Sequence, residues 1–248
     1  MQSPYLILSP KARRMAKSLM RDYPELRIKV STNSYASTDN IMAYSANYRL
    51  RSDYVGKLGL QIYEFKPHPD SLPSLFPEFD ALAEKAKKTD LRKPPFLCLH
   101  AKSLVIDDRV SFVGSYNLDP RSVSLNTEVG LLIHDEAFAR ELRTQIERDM
   151  APGNSWVIAQ REFPLGLSVL NSLVDEVVSL SPIDVWPIQN SSSFELRPGA
   201  EPVPPGHPEF YQRYREVGDF PGADSAVSSK GILTRFYKTV GAVFTPIM

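Results

Sequence analysis

The sequence predicts a layered α/β fold, and three observations carry that reading. Over residues 5 to 65, short runs with two-residue apolar periodicity alternate with runs at helical spacing, in the order β, α, β, α, β. Hydrophobic residues make up 42% and charged residues 23% of the chain, ordinary globular usage that excludes a disordered or fibrous protein. The 248 residues suit one large domain or one domain with an appendage, because single cores stop growing at roughly 250 to 300 residues.

Each element has its own signal. Tyr5-Leu-Ile-Leu8 is a short apolar run ended by Ser9-Pro10, where a capping serine and a proline at the first helical position start a helix carrying Met15 and Leu19. Leu26, Ile28 and Val30 alternate with Arg27 and Lys29 as in a strand, which ends at Thr32-Asn33-Ser34. A second helix is expected from Thr38 or Asp39, with Ile41, Tyr44, Tyr48 and Val55 on one face and a close at Gly56 or Gly59. Leu60 to Phe65 is the next strand. Lys66 to Pro95 is broken by prolines and reads as a long loop with one short helix. Its basic patch, Lys85, Lys87, Lys88, Arg92 and Lys93, suits a solvated helix face or contact with lipid headgroups. Three strands follow: Phe96 to His100 running into Ser103 to Ile106, Val110 to Val113 beyond the Asp107-Asp108-Arg109 turn, and Glu128 to Ile133. Asp135 then caps a helix that stacks Phe138, Leu142 and Ile146 four apart.

Charge and proline content divide the chain. Cations and anions both number 29, so the strongly basic balance of a dedicated nucleic-acid binder is absent. Residues 1 to 150 hold 22 cations and 19 anions, whereas residues 151 to 248 hold 7 and 10, so an anion-binding face belongs to the first part. Of 21 prolines, 11 fall in the last 98 residues, which are expected to be irregular and layered on the surface. No apolar run reaches the roughly 20 residues that span a bilayer, and the first residues lack the features of a signal peptide. Cys98 stands alone, which excludes an internal disulfide and a thiolate zinc cluster. Lys230 to Met248 carries three cations, no acids, and Leu233, Phe236, Val240, Val243 and Ile247 at helical spacing. That pattern suits a membrane interface or an amphipathic helix docked on its own domain.

The segment His100-Ala-Lys102-Ser-Leu-Val-Ile-Asp107, followed by Gly114-Ser115-Tyr116-Asn117, concentrates the chemistry. In a strand, residues two apart face the same side, so His100 and Lys102 are expected to project together. Ser115 and Asn117, also two apart, add a hydroxyl and an amide, and Gly114 permits close backbone approach. Donors for non-bridging oxygens beside a histidine form a site for a phosphate diester. Trp156, Trp186 and Cys98 read as packing residues, and His68, His134 and His207 have no constellation around them.

The spacing H-x-K-x4-D-x6-G-S-x-N resembles the HKD signature of the phospholipase D superfamily. The likeness continues through Leu118-Asp-Pro-Arg-Ser122 and Leu125-Asn-Thr-Glu128 and is similar to the bacterial cardiolipin synthase and phospholipase D-like branch. Upstream, Thr32-Asn33-Ser34 and Tyr63-Glu-Phe-Lys66-Pro resemble the segment before the second HKD motif of that branch. The resemblance covers about residues 4 to 158, with a weaker echo at Leu180 to Asp184. It implies an α/β/α sandwich with a mixed central sheet over residues 1 to 158, followed by a proline-rich extension over residues 159 to 248.

The resemblance also implies roles. His100 would be one of two active-site histidines, either the nucleophile that forms a phosphohistidine or the acid that protonates the leaving alcohol. Lys102 and Asn117 would grip the phosphate oxygens, and Ser115 would support them. Glu128 would orient the histidine as a triad acid does. Asp107 and Gly114 would be structural, with Asp107 paired inside the fold. No metal or other cofactor is implied. The chain has a single H-x-K, because His68, His134 and His207 are followed two positions later by acids. It would therefore be the C-terminal half of a two-motif enzyme or build its site with a second copy of itself. The implied activity is phosphatidyl transfer to an alcohol or to water, on phospholipid at a membrane surface. A phosphodiesterase acting on nucleic acid and a non-catalytic half are the alternatives, and the composition offers no extended basic groove for nucleic acid. The implied location is peripheral on the bacterial inner membrane or cytoplasmic.

Overall fold

The computed structural model describes residues 1–88, 95–162 and 190–223, and its centre is a mixed β-sheet. Five strands run in the order β1 (Lys29–Asn33), β2 (Gln61–Phe65), β6 (Ser155–Gln160), β7 (Ser191–Leu196), β8 (Tyr214–Gly218). Three more, β3 (Ser103–Ile106), β4 (Val110–Gly114) and β5 (Gly130–Ile133), form an antiparallel meander. β1 and β2 are parallel, and the remaining neighbours in both groups are antiparallel. A single residue stitches the groups together: Gln2 bridges in parallel to Ser31 of β1 and antiparallel to Ser103 of β3.

Helices cover both faces. α1 (Pro10–Asp22) starts where Ser9 accepts a hydrogen bond from the Ala12 N–H, with Pro10 at the first position, as the sequence announced. α2 (Ile41–Gly56) closes at Gly56, but its cap is Asn40, whose Oδ1 accepts from the N–H groups of Met42 and Ala43. On one sheet face Val30, Ile62 and Ile158 pack with Ala16 of α1 and with Tyr54 and Leu58 at the end of α2. On the other face Val157, Ala159 and Phe194 pack with Phe210 of the short helix α7 (Phe210–Arg213) and with Tyr214. α6 (Glu136–Asp149), capped by Asp135, lies against β3 and β4. Adjacent residues of β6, Val157 and Ile158, are both buried, the mark of a central strand covered on both sides. This is the expected α/β/α arrangement around a mixed sheet.

Several boundaries differ from the sequence expectation. Tyr5 to Leu8 makes no strand and contributes one bridge, Leu6 to Leu118. The first strand begins at Lys29 rather than Leu26. Residues 96–100 are irregular, and the expected loop holds two helices, α3 (Leu72–Leu75) and α4 (Phe79–Lys88). Glu128 precedes β5, and a short helix α5 (Pro120–Ser124), capped by Asp119, lies before it. Beyond residue 158 the sheet continues: β7 pairs with β6 and β8 with β7. β7 opens with Ser191-Ser192-Ser193, which has no apolar alternation to announce a strand. All three serines are buried; Arg51 Nε donates to Ser191 Oγ at 3.3 Å and Arg161 Nη2 to Ser192 Oγ at 3.4 Å. Arg92, Lys93, Leu180 to Asp184, Trp186 and Lys230 to Met248 lie outside the described residues.

Candidate active site

The site is built where β1 ends and the segments 98–102 and 114–119 pass close by. At the end of β1 the buried side chain of Asn33 grips Leu99: its Nδ2 donates to the Leu99 carbonyl at 2.9 Å and its Oδ1 accepts from the Leu99 N–H at 2.8 Å. This grip supplies the partners that a ladder would give Leu99, which is why 96–100 needs no strand. It also places His100 at the sheet rim, with its side chain 66% exposed.

Lys102 sits just before β3. The Gly114 N–H donates to the Lys102 carbonyl at 3.1 Å, which ties the histidine-lysine segment to the Gly114–Asn117 segment. Lys102 Nζ turns back and donates to the His100 carbonyl at 2.8 Å. Partial burial lowers the Lys102 pKa below the usual lysine value, opposed by the charges of Asp39, Cys98, Glu128 and Asp119.

Gly114 has a packing reason to be glycine. A Cβ there would meet the Val129 carbonyl oxygen at 2.5 Å and Gly130 Cα at 2.7 Å, both backbone atoms that cannot swing aside. The close approach delivers Ser115 to Glu128: Ser115 Oγ–H donates to Glu128 Oε2 at 2.5 Å, while the same oxygen accepts from the Val129 N–H at 3.0 Å. Asn126 Nδ2 donates to Glu128 Oε1 at 3.1 Å. The hydrogen bond from Ser115, then those from Ser122 and Asn126, hold the Glu128 carboxyl below its ordinary value, so it is an anion.

Asn117 is placed through its backbone, whose N–H donates to Ser122 Oγ at 3.1 Å. Its carboxamide oxygen is buried with no hydrogen-bond partner among the described residues, so the fold leaves that amide unsecured. The adjacent Leu118 N–H donates to Ser3 Oγ at 3.0 Å, and its carbonyl accepts from the Ile7 N–H at 2.6 Å.

The Glu128 carboxylate is engaged by Ser115 and Asn126. One sequence expectation is corrected by this geometry. Asp107 has no hydrogen bond or ion pair among the described residues. It is exposed and takes φ +50°, followed by Asp108 at φ +56°, the left-handed pair of a tight turn closed by the Arg109 N–H on the Ile106 carbonyl. Its structural part is therefore conformational rather than electrostatic.

The acid that does approach the imidazole is Asp39, with Oδ2 4.0 Å from His100 Nδ1. Tyr5 OH reaches both Asp39 oxygens, at 3.0 and 3.2 Å. Burial and the Asp39 carboxylate push the Tyr5 pKa up to about 12, so the phenol remains a donor. Sequence reading took Thr38-Asp39 as a helix start. Because Asn40 makes the cap, the Asp39 carboxylate is released to the site, and the signal lay in the competing asparagine one position on. Cys98, half-buried, accepts weakly from Asn33 Nδ2 at 3.4 Å, and burial raises its thiol pKa.

Comparison with known proteins matches this architecture to one family. The model described as cardiolipin synthase, phospholipase D-like domain, matches residues 2–150. An uncharacterized protein of Helicobacter pylori (strain ATCC 700392 / 26695) is 32% identical over 145 residues, 58% of this chain and 25% of its own. Cardiolipin synthase C of Escherichia coli K12 is 32% identical over 115 residues, 46% of this chain and 22% of its own. The minor cardiolipin synthase ClsB of Bacillus subtilis 168 reaches 51% over 51 residues, 21% of this chain and 13% of its own. The chain thus spans a quarter or less of the length of these relatives. Among solved structures, the phospholipase D family member Nuc of Salmonella typhimurium aligns over 62% of this chain and 77% of its own, at 12% identity and a TM-score of 0.39. Phosphatidylserine synthase of Haemophilus influenzae Rd KW20 aligns over 72% and 39%, at 15% identity and 0.41. Since the family model spans more than half of the residues, including the whole His100 to Glu128 segment, the chain belongs to the cardiolipin synthase, phospholipase D-like domain family.

Proposed function

We propose that this chain supplies one half of an active site for phosphodiester transfer on phospholipid, with a second histidine-lysine motif coming from another half or another copy. One observation supports the reading: the Gly114 N–H donates to the Lys102 carbonyl, which ties the His100–Lys102 segment to the Gly114–Asn117 segment. In the first step a histidine nitrogen attacks phosphorus, the bond from phosphorus to the leaving alcohol oxygen breaks, and the opposite histidine protonates that oxygen. In the second step that histidine removes a proton from the acceptor alcohol or water, whose oxygen displaces the first histidine. His100 fills one of these two roles. Lys102 and the unsecured amide of Asn117 hold the non-bridging oxygens, Ser115 lines the same rim, and Glu128 fixes Ser115 while adding a negative charge. The reading places the protein at a membrane surface. Among the described residues no helix is long and apolar enough to cross a bilayer.

The test is an assay of the full chain, alone and with a candidate N-terminal half, on phosphatidylglycerol and on DNA, in the presence of EDTA. Cardiolipin and glycerol from the assembled protein in chelator are expected. Activity that vanishes in EDTA and returns with a divalent metal overturns the histidine mechanism. A monomer that is fully active by light scattering and turnover overturns the shared site, and cleavage of DNA with no lipid product makes the protein a nuclease.

A further inference from the structure

We propose that the solvent face of α1 docks on an anionic lipid bilayer, with Met15 and Leu19 entering the interface while Lys11, Arg14 and Lys17 meet lipid phosphates. The inference deepens the proposed function and rests on that reading for the choice of a bilayer as partner.

α1 turns large apolar side chains outward. Facing the sheet it buries Ala16, flanked at four-residue spacing by the partly buried Ala12 and Met20. Met15 and Leu19, also four apart, are 62% and 37% exposed, and Tyr23, one turn further on, is 62% exposed. A helix selected only to dock on its own domain would set such side chains, rather than an alanine, against the core.

Charge indicates what the stripe meets. α1 holds five cations and one acid, in a chain whose cations and anions are equal in number. The acid, Asp22, is engaged by Arg21 at 2.8 Å, whereas Lys11, Arg14 and Lys17 are exposed with no ion pair among the described residues. On α4, by contrast, Lys87 is paired with Glu84. Free cations bordering an exposed apolar stripe are the make-up of a helix that lies in a bilayer interface. Nucleic acid would satisfy the cations but offers Met15 and Leu19 no hydrocarbon to enter.

Position gives a third reason. The Ile7 N–H donates to the Leu118 carbonyl, next to Asn117, and α1 begins three residues further on, a reach of about 10 Å. The first turn of α1 therefore lies near the candidate site. A phospholipid keeps its acyl chains in the bilayer while its phosphate is held in the site, so a surface resting on lipid must adjoin that site.

The experiment is cosedimentation of the full chain with vesicles of phosphatidylcholine alone and of equal parts phosphatidylcholine and phosphatidylglycerol. The wild type should bind the mixed vesicles, less so in high salt, and the neutral ones weakly. The triple variant Lys11→Gln/Arg14→Gln/Lys17→Gln should lower partitioning about 10²-fold, because each cation at an anionic surface contributes about a factor of five. Met15→Ser/Leu19→Ser should lower it about tenfold or more. Lys87→Gln/Arg140→Gln/Arg143→Gln makes the same change in net charge at cations paired with acids, and should bind as the wild type does. If an α1 variant folds poorly, Leu19→Trp decides: brominated lipid should quench its fluorescence beyond that of the parent chain. Wild-type binding by both α1 variants, an equal loss in the control triple, or no added quenching overturns the proposal. So does vesicle binding that survives while Met15→Ser/Leu19→Ser breaks a dimer, or the α1 triple loses a DNA duplex. Vesicle binding needs no turnover, so a failed lipid assay and a failed docking surface are told apart.

Discussion

Asn33 and Leu99 are joined by two reciprocal hydrogen bonds, side chain to backbone in both directions, at 2.9 and 2.8 Å. The carboxamide acts as a one-residue strand partner and holds the residue before His100 against the end of β1. Asn33→Ala leaves a buried N–H and a buried carbonyl without these partners. The expected cost is about 1–3 kcal/mol per unsatisfied group, read from denaturant unfolding, together with a loss of activity in the assembled enzyme. Unchanged stability would mean that segment 96–102 is held by other contacts.

Glu128 and Asp107 should fail differently. With Glu128 orienting His100, as the family resemblance implies, Glu128→Gln retains shape and removes the anion, so turnover in the active assembly should drop about 10²- to 10⁴-fold, by analogy with neutralising a triad acid, while the thermal midpoint barely moves. Asp107→Asn should change stability by less than about 0.5 kcal/mol, because the position is exposed and asparagine tolerates the same left-handed backbone. Asp107→Val should cost about 1–2 kcal/mol through that backbone conformation alone. Calorimetry on the three variants separates the cases.

Gly114→Ala tests the contact that sets Ser115 in place. The added methyl meets backbone at 2.5 and 2.7 Å, so β4 and β5 must separate. A stability loss of about 1–3 kcal/mol is expected, as for overpacking, with weaker hydrogen-exchange protection of the Ser115 N–H, which donates to the Val129 carbonyl at 2.8 Å. Unchanged protection would show that the strands tolerate the methyl.

Away from the site, Glu64 and Arg51 are both completely buried, with Arg51 Nη1 3.5 Å from Glu64 Oε1 and the Tyr44 hydroxyl at 3.2 Å from Oε2. Burial pushes the Glu64 pKa up to about 7 from 4.5, and Arg51 offsets only part of it. Because the folded value is the higher one, the stability tied to this group is fully present below pH 4.5 and is lost as pH rises through about 7. Glu64→Gln should therefore gain on the wild type between pH 4.5 and 8, by no more than about 3 kcal/mol. Denaturation midpoints at pH 5 and pH 8 check it, and a gap that moves the other way would show that the ion pair with Arg51 outweighs burial.

Local chemistry made much of this protein legible from sequence. Ser9-Pro10 started α1 and Asp135 capped α6, because caps act within a few residues. The alternation in Leu60 to Phe65 marked β2, and the gaps between His100, Lys102, Gly114, Ser115 and Asn117 pointed to the candidate site. Tertiary structure decided what depends on distant partners. Ser191 to Ser193 became a strand because β6 pairs with their backbone while Arg51 and Arg161 donate to the hydroxyls of Ser191 and Ser192, residues that carry no apolar periodicity. Phe96 to His100 stayed out of the sheet because Asn33, 66 residues earlier in the chain, satisfied its backbone at Leu99. Asp39 came to lie 4.0 Å from His100 Nδ1 because Asn40 took the cap and the Tyr5 hydroxyl, 34 residues earlier in the chain, bonds its carboxylate, a partner that only packing supplies. Periodicity and capping report a residue's neighbours along the chain, whereas the partner of a buried polar group is set by which segments the sheet brings side by side.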